Sequence, residues 1–282
     1  MNMLIKTLLT LFLLTISVCS QGKTTEKSKQ TGEKDNSGLS IRYIANEGVL
    51  ISSGAKQVLI DGLHREYKPA YAFPPADLLS ALETARAPYD KINLLLVSHV
   101  HLDHFHPDSI GSHLKNNPKA ALISSEQVVG EVARSFADYA RIKPQIKQVT
   151  PAWKEFVELD HDGVKLKILG LRHSSERFRW IQNLGHIIEI GGKKLLHIGD
   201  ADMTAENFAA FNLAKEKIDI AFIPYWFLLS GDGRSLVKEQ FNAKQVIAVH
   251  ISPGEAEQVS ANLKEVYPEA IPLTNILEER KF

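Results

Sequence analysis

The sequence of 282 residues has a single cysteine, Cys19, and this scarcity excludes several kinds of site. One thiol cannot form a disulfide within the chain, and it cannot build a cysteine-rich zinc or iron–sulfur site. Any metal ion must therefore be held by His, Asp or Glu side chains. The 11 histidines need an explanation, because a chain of this length can fold without a structural metal.

The sequence also lacks net charge, since 33 basic residues balance 33 acidic ones and give a formal charge of +0. A neutral chain has no long-range field that attracts nucleic acid or an anionic membrane. We therefore expect no nucleic-acid partner. A small-molecule substrate is a separate expectation, which rests on the metal-ligand residues.

The N-terminal apolar run, residues 8–18 (LLTLFLLTISV), is shorter than the ~20 residues of a membrane-spanning helix. It follows a short positive start and has the length of a signal-peptide core. Residues 1–20 are therefore predicted to be a signal peptide or lipoprotein signal, which implies export to the periplasm or cell envelope, or secretion. Two kinds of processing stay open: cleavage before Gln21, or attachment of a lipid at Cys19 that tethers the protein to a membrane.

Residues 21–38 (QGKTTEKSKQTGEKDNSG) contain no large apolar side chain. Such a segment cannot bury enough surface to offset its chain entropy, so we predict a flexible polar linker. No second linker and no short repeat interrupts residues 39–282. This stretch is therefore predicted to be a single domain.

The pattern of β-prone and helical stretches after residue 39 predicts an α/β fold. Residues 41–53 and 56–62 are typical of a meander of antiparallel strands. Further strands are predicted at 92–98, 119–125, 164–172, 184–190, 194–200, 218–224 and 245–250. Helices are predicted at 76–87, 126–139, 204–213 and 253–267, the last with Ser252 as its N-cap. Two batches of strands with helices between them indicate two packed sheets with helices outside.

The densest group of possible metal ligands is residues 98–107 (SHVHLDHFHP), directly after a strand predicted to be buried on both faces. In an extended segment His99 and His101 project to the same side, so both imidazoles can reach one cation. Asp103 and His104 are adjacent and point differently, so they can serve a second cation. Imidazole and carboxylate are ligands that Zn²⁺ accepts.

Two metal sites need more donors than this loop holds, and three later strands each end in one. These donors are His173, Asp200 and His250. Strand ends at one edge of a sheet can gather such residues into a single cleft. A carboxylate between two ions can bridge them, and Asp200 is the best candidate. His161 competes with His173, but its flanking residues indicate a surface turn.

The order and spacing of these residues resemble the metallo-β-lactamase superfamily, whose signature is His-x-His-x-Asp-His followed by a later His, Asp and His. The resemblance covers about residues 41–250 and implies a four-layer αβ/βα sandwich. It implies one metal ion on His99, His101 and His173, another on Asp103, His104 and His250, and Asp200 as the bridge. It also implies that Asp61 supports the metal-binding loop without binding metal.

Within the superfamily, residues 98–105 (SHVHLDHF), 183–186 (NLGH) and 195–202 (LLHIGDAD) resemble the branch of ascorbate-lactonase-like and N-acyl-phosphatidylethanolamine-phospholipase-like hydrolases. The resemblance implies hydrolysis of a small ester, lactone, amide or phosphodiester with two Zn²⁺ ions per chain, or Mn²⁺ or Fe²⁺ in their place. Two ions ~3.5–4 Å apart can generate a hydroxide nucleophile at neutral pH. Asp103 is expected to be catalytic, by orienting the hydroxide and passing a proton to the leaving group.

Two other classes stay open at this point. One is an iron-dependent oxidoreductase on the same fold, although the intact His99-x-His101 pair favours zinc. The other is a metal-binding lipoprotein without turnover.

Substrate contacts are expected from aromatic side chains that otherwise pack the ends of the fold: Tyr67, Tyr71, Phe73, Tyr225, Trp226 and Phe227. Three arginines either meet an anionic group or are only solvated: Arg172, Arg177 and Arg179.

The remaining histidines are not predicted to bind metal. His106 and His113 are expected at the surface, beyond the loop and in a helix. His186 and His197 lie within predicted strands, where a histidine packs or orients a ligand through its second ring nitrogen. His64 follows the turn at Asp61 and is not predicted to line the cleft.

Overall fold

A computed structural model describes residues 38–68 and 70–282 of the chain. The predicted signal segment, residues 1–20, lies outside the described residues, as does the predicted linker apart from Gly38. None of the described helices combines the length and the apolar character needed to cross a membrane.

Seven strands form a first sheet, six from the first half of the described chain and one from its end. They are β1 (Ser40–Ala45), β2 (Gly48–Ser53), β3 (Lys56–Ile60), β4 (Leu94–Leu96), β5 (Ala121–Ser124), β6 (Ile146–Gln148) and β14 (Glu279–Lys281). The strand order is β14-β1-β2-β3-β4-β5-β6. The strands from β14 to β3 pair antiparallel, and those from β3 to β6 pair parallel. The predicted N-terminal meander is therefore confirmed.

Seven further strands form a second sheet with a similar plan. They are β7 (Phe156–His161), β8 (Val164–Arg172), β9 (Gln182–Ile190), β10 (Lys193–His197), β11 (Ile220–Pro224), β12 (Gln245–Val249) and β13 (Ile271–Pro272). The order is β13-β12-β11-β10-β9-β8-β7. The strands from β7 to β10 are antiparallel and those from β10 to β13 are parallel.

Eight α-helices accompany the sheets in the described residues. They are α1 (Ala76–Glu83), α2 (Pro107–Asn116), α3 (Glu126–Ser135), α4 (Tyr139–Ile142), α5 (Ala205–Phe208), α6 (Tyr225–Leu229), α7 (Gly231–Leu236) and α8 (Ala256–Val266). The first four pack on the first sheet and the last four on the second.

Three hydrophobic clusters show how the layers are stacked. The two sheets bury one cluster between them, to which β2 contributes Ile51 and β8 contributes Ile168. On the opposite face of β2, Leu50 packs with the helices of the first sheet, because successive side chains of a strand alternate between faces. A third cluster joins the second sheet to its helices. The layers therefore run helix, sheet, sheet, helix, which confirms the predicted αβ/βα sandwich.

The end of the chain returns to its described beginning. The backbone of Phe282 donates a hydrogen bond of 2.9 Å to Leu39, and Leu39 donates one of 3.3 Å in return. Strand β14 thereby covers the outer edge of β1, which prevents that edge from pairing with another chain.

Several predicted helix boundaries differ from the structure. The predicted helix 204–213 is α5 followed by 3₁₀ turns, because Asn212 takes a left-handed conformation with φ 49°. The helix predicted at 126–139 ends at Ser135 as α3, and α4 begins at Tyr139. Ser252 was predicted to cap the last helix, and this was wrong. It precedes a 3₁₀ turn at Pro253–Glu255, its side chain makes no capping hydrogen bond, and α8 begins only at Ala256.

Candidate metal centre

The loop between β4 and α2 places four of the predicted ligands. Its middle is a tight turn in which the backbone N–H groups of His104 and Phe105 both donate to the carbonyl of His101, at 3.1 Å. The turn separates His99 and His101 from Asp103 and His104. The end of the loop is anchored where the N–H of His106 donates to the carbonyl of Leu63 at 2.8 Å.

Three histidines form a first triad: His99, His101 and His173. The Nδ1 atom of His101 lies 3.0 Å from Nε2 of His99 and 3.2 Å from Nε2 of His173. Two ligand atoms bound tetrahedrally to one ion at 2.1 Å lie about 3.4 Å apart. The observed distances are close to this value, so the three nitrogens can hold one cation.

One carboxylate and two histidines form a second triad: Asp103, His104 and His250. The Oδ2 atom of Asp103 lies 3.6 Å from Nε2 of His104 and 3.4 Å from Nε2 of His250. The donor atoms of this triad all lie within 4.8 Å of one another. They too have the spacing of ligands around a single ion.

Asp200 lies between the triads and offers one oxygen to each. Its Oδ2 atom is 3.6 Å from Nε2 of His173 and 3.9 Å from Nε2 of His99. Its Oδ1 atom is 3.5 Å from Nε2 of His104 and 3.4 Å from Nε2 of His250. The structure therefore brings all seven predicted ligands together, with Asp200 in the position of a bridge.

Backbone contacts fix the loops that follow the strands of the second sheet, one of them to the first sheet. His173 and Ala201 form an isolated antiparallel bridge, and the N–H of Ser174 donates to the carbonyl of Asp200 at 2.7 Å. The N–H of His250 donates to the carbonyl of Asn46 at 3.1 Å. His250 adopts a φ of 62°, a left-handed conformation that is uncommon outside glycine and that often occurs at functional sites.

Hydrogen bonds behind the ligands orient three of the imidazoles. Asp61 accepts from the backbone N–H of Ser98 at 2.7 Å and from its hydroxyl at 2.5 Å. The same carboxylate accepts from Nδ1 of His104 at 3.0 Å, and the Ser98 hydroxyl accepts from Nδ1 of His99 at 3.0 Å. Nδ1 of His173 donates to the carbonyl of Ser174 at 3.0 Å. Because Nδ1 is the donor in each of these hydrogen bonds, each Nε2 points into the triads, where it can bind a cation when it carries no proton.

The first triad is neutral at physiological pH. Burial lowers the pKa of His99 well below its ordinary value, and burial with the neighbouring His173 lowers that of His101 to about 4. Burial also lowers the pKa of His173. Neutral imidazole is the form that binds metal.

The second triad and Asp200 are strongly charged. Burial favours a low pKa for His104, but the negative charges of Asp200 and Asp103 outweigh it and raise the pKa to about 10. The same balance raises the pKa of His250. Burial opposes the ionisation of Asp103, yet His104 and His250 lower its pKa to about 2. Protons and a cation therefore compete for the same nitrogen atoms in this triad.

Unpaired atoms at the centre indicate what the cluster is built for. The Nε2 atoms of His104 and His250 and the Oδ1 atom of Asp200 are buried and make no hydrogen bond. Buried polar atoms are costly without a partner, and these three converge on one point. A cation at that point satisfies all of them, so the donor set fits metal ions.

A cleft of about 650 Å³ opens above the centre and includes ligands of both triads. Its aromatic walls are formed by Tyr67, Tyr71, Phe178 and Trp226. Tyr71 and Trp226 contact His250 edge-on, with ring centroids 5.5 and 5.0 Å away. Of the other aromatics considered above, Phe227 is fully buried among the helices of the second sheet. A depression of about 770 Å³ beside Trp153 and Arg172 contains no ligand of either triad.

The other histidines have structural surroundings. His161 ends β7, outside both triads, and the exposed turn of Asp162 and Gly163 that follows it confirms the expected surface turn. His197 lies 3.2 Å from the carbonyl of Glu47 and accepts from the N–H of Gly199. His186 and His64 are fully buried with no hydrogen bond to their rings.

His113 was predicted to lie at the surface, and this was wrong. It is on α2 but fully buried where α2 packs on α1, and its Nδ1 donates to the carbonyl of Leu82 on α1 at 2.6 Å. His106 precedes α2 and is half-buried.

Sequence reasoning missed two residues that support the centre. The side chain of Asn46 donates to the carbonyl and to Oδ2 of Asp103, both at 3.1 Å. Glu47 is buried behind Asp200 and His104, and burial together with the charge of Asp200 raises its pKa to about 8. Both belong to the turn between β1 and β2, and their burial at the centre is visible only in the fold.

A family model described as the beta-lactamase superfamily domain matches residues 58–270. No curated protein sequence matches the chain at a significant level. The matched segment exceeds half of the chain. The chain therefore belongs to the beta-lactamase superfamily.

Solved structures share this fold. A possible metal-dependent hydrolase from Veillonella parvula has a TM-score of 0.59 and 16% identity, covering 87% of this chain and 100% of its own. Igni18, a metallo hydrolase from Ignicoccus hospitalis, has a TM-score of 0.57 and 16% identity, covering 86% and 98%. CmlA, a diiron beta-hydroxylase from Streptomyces venezuelae, has a TM-score of 0.52 and 13% identity, covering 87% and 54%. At these identities the likeness shows a common fold alone.

Proposed function

We propose that this member of the beta-lactamase superfamily is a metal-dependent hydrolase that holds two ions, one at each triad. The position of Asp200 carries the proposal, because its two carboxylate oxygens face different triads. One carboxylate shared between two groups of donors is the arrangement expected of a two-ion site.

Zinc is the metal that the donors favour. The first triad and Asp200 offer three imidazole nitrogens and one oxygen, which suits the tetrahedral preference of zinc. In the second triad a carboxylate replaces one imidazole, and manganese or iron also accepts such mixed donors. The shared fold with a diiron hydroxylase makes an iron-dependent oxidoreductase the competing assignment.

Bound ions of this kind supply Lewis acidity and lower the pKa of a coordinated water to about 7. Asp103 is the candidate for moving the proton. Its carboxylate has a pKa of about 2 and is therefore ionised at neutral pH. It also lines the cleft and is held by Asn46 at 3.1 Å. From this position it can accept a proton from the attacking water and return it to the leaving group.

The substrate class that suits this chemistry is a small ester, lactone, amide or phosphodiester. Each has an oxygen that gains negative charge in the transition state, where a fixed positive charge stabilises it. A cleft of about 650 Å³ accommodates a small molecule. The aromatic walls provide apolar contact for the part of the substrate that does not react.

We also propose that the protein acts outside the cytoplasm. The apolar run at residues 8–18 and the cysteine at position 19 support export, with a lipid anchor or simple cleavage as alternatives. Mass spectrometry of the N-terminal peptide from fractionated cells separates them, since a lipid adds several hundred daltons at Cys19. An uncleaved N-terminus in the cytoplasmic fraction would contradict export.

Metal analysis together with hydrolysis tests the function. The purified full chain is expected to contain two zinc ions and to hydrolyse aryl esters or an aryl phosphodiester, with loss of activity on chelation and recovery with zinc. His101→Ala should lose one ion and the activity. His161→Ala, which changes a histidine outside both triads, should keep both. Stoichiometric iron without zinc, or full activity of His101→Ala, would overturn the proposal.

A further inference from the structure

The charges around the cleft are unequal. The acidic side chains that line it, Asp103 and Asp200, both belong to the metal centre. Two cationic side chains, Lys68 and Arg177, also line it. Both are exposed, and among the described residues neither forms an ion pair.

Arg177 stands over the wall of the first triad. Its guanidinium carbon lies 4.4 Å from the ring centroid of Phe178. That ring contacts His101 and His173 edge-on, at centroid distances of 5.0 and 5.1 Å. A cation held over an aromatic face is positioned without being neutralised, so Arg177 keeps its charge for another partner.

Lys68 has the equivalent place beside the second triad. Its Nζ atom lies 4.7 Å from the ring centroid of Tyr67, which stacks on Tyr71 with an interplanar angle of 7°. Tyr71 in turn contacts His250 edge-on at 5.5 Å. Each triad therefore has an aromatic wall that ends in an unpaired cation at the rim.

The two other arginines close to His173 in the sequence, Arg172 and Arg179, already have partners. Arg179 pairs with Asp202 at 2.7 Å and donates to the carbonyl of His173 at 3.1 Å. Arg172 lies over Trp153, 3.3 Å from the ring centroid, in the separate depression. Arg177 is thus the arginine of the three that faces the cleft.

The charge balance selects the substrate. Two divalent ions exceed the charge of the two lining carboxylates, and the rim adds two positive charges without an acidic side chain to offset them. Such a cleft attracts anions and repels cations.

We infer that the substrate carries an anionic group, a carboxylate or a phosphate, apart from the bond that is cleaved. Lys68 and Arg177 bind this group while the reacting group lies at the triads and an apolar body lies against the aromatic walls. The inference rests on the proposed function and narrows its substrate class.

A matched pair of probes tests the inference: 4-acetoxybenzoate and its methyl ester, which differ in one negative charge. In the zinc-loaded full chain, the double variant Lys68→Met/Arg177→Met should lower kcat/KM for the anion by about tenfold and leave the methyl ester unchanged. Each single change should give roughly three- to fivefold, as expected for an exposed ion pair. Added salt should reduce the preference of the unmodified protein for 4-acetoxybenzoate over its methyl ester.

The matched control is Lys238→Met/Arg86→Met, which removes two exposed cations outside the cleft. It should leave the ratio of the two rates unchanged. A ratio that survives in the rim variant, or that falls equally in the control, overturns the inference while the hydrolase proposal stands.

Binding gives a second readout that does not depend on turnover. Calorimetry with 4-acetamidobenzoate and its methyl ester should show tighter binding of the anion, lost in the rim variant. If the aryl phosphodiester and both acetoxy esters are left intact, the proposed function fails, but this measurement still decides the inference. Equal affinity for the two amides, or no binding of the anion, overturns it.

Discussion

Replacing Asp61 by Asn tests how the metal centre is oriented from behind. Asp61 is fully buried just after β3 and belongs to neither triad. Three donors approach its carboxylate: the backbone N–H of Ser98, the Ser98 hydroxyl and Nδ1 of His104. The hydrogen bond from His104 and the positive charge of that ring keep the pKa of Asp61 below its ordinary value despite burial. It therefore acts as an acceptor for every donor around it.

Asparagine has one acceptor oxygen and a donating amide. If its oxygen keeps the Ser98 N–H, its amide faces Nδ1–H of His104, and two donors oppose each other. His104 must then move its proton to Nε2, the atom that points into the second triad. Loss of such support lowers metal affinity by about 10- to 100-fold, or roughly 1.4 to 2.8 kcal/mol. The first triad should keep its ion.

The assay is zinc stoichiometry at fixed free zinc, with chelator competition to measure both affinities. Asp61→Asn should contain close to one zinc ion where the unmodified chain contains two. The control is Asp219→Asn, which also removes an acceptor for a backbone N–H but lies outside the centre. If Asp61→Asn bound zinc at both triads as tightly as the unmodified chain does, the proposed shift of the His104 proton would be refuted.

Three further predictions concern stability. His186 is buried with its pKa lowered from 6.5 to about 3, so its neutral ring stabilises the fold above pH 6.5 and this contribution is lost as the pH falls. In urea unfolding without metal, the free energy of unfolding of the parent should therefore fall between pH 7 and pH 5 by about 2 kcal/mol more than that of His186→Met. A difference between the two proteins that does not depend on pH would contradict this. Gly199→Ala should lower the free energy of unfolding by about 2–4 kcal/mol in thermal unfolding. Gly199 has a left-handed φ of 54°, and a Cβ there would lie 2.8 Å from Oδ1 of Asn183. Gly192→Ala, at φ 73° with open space, should cost only about 1–2 kcal/mol, and equal losses would show that the contact is unimportant. Gly130→Ala in α3, where the space is open, should stabilise by about 0.5–1 kcal/mol, and a lower Tm would contradict it.

The sandwich was predictable because its strands have strong local signals. The predicted strand 164–172 coincides with β8, and the strand 92–98 contains β4, whose three leucines alternate between two buried faces. Edge strands were missed. β7 is largely exposed, and β14 consists of Glu-Arg-Lys. Their pairing depends on a neighbouring strand that is already in place, which no local pattern reports.

The ligand set was predictable for a related reason. The ends of β8, β10 and β12 meet at one edge of the second sheet, and each carries a donor just beyond it. The supporting groups were less visible. The contact of Asn46 with Asp103 joins residues 57 positions apart, and the burial of His113 depends on a carbonyl of another helix. Such partners are set by packing and have no spacing rule in the sequence.

The hydrogen bonds between Leu39 and Phe282 have a consequence for connectivity. Since these residues are adjacent, a short peptide can join them, and new termini can be opened at the exposed turn of Asp162 and Gly163. Circular permutation succeeds at such sites. The permuted polypeptide would present the seven donors in a different order, with His173 first and His104 last. The metal centre depends on where the donors lie in the fold and not on their order along the chain.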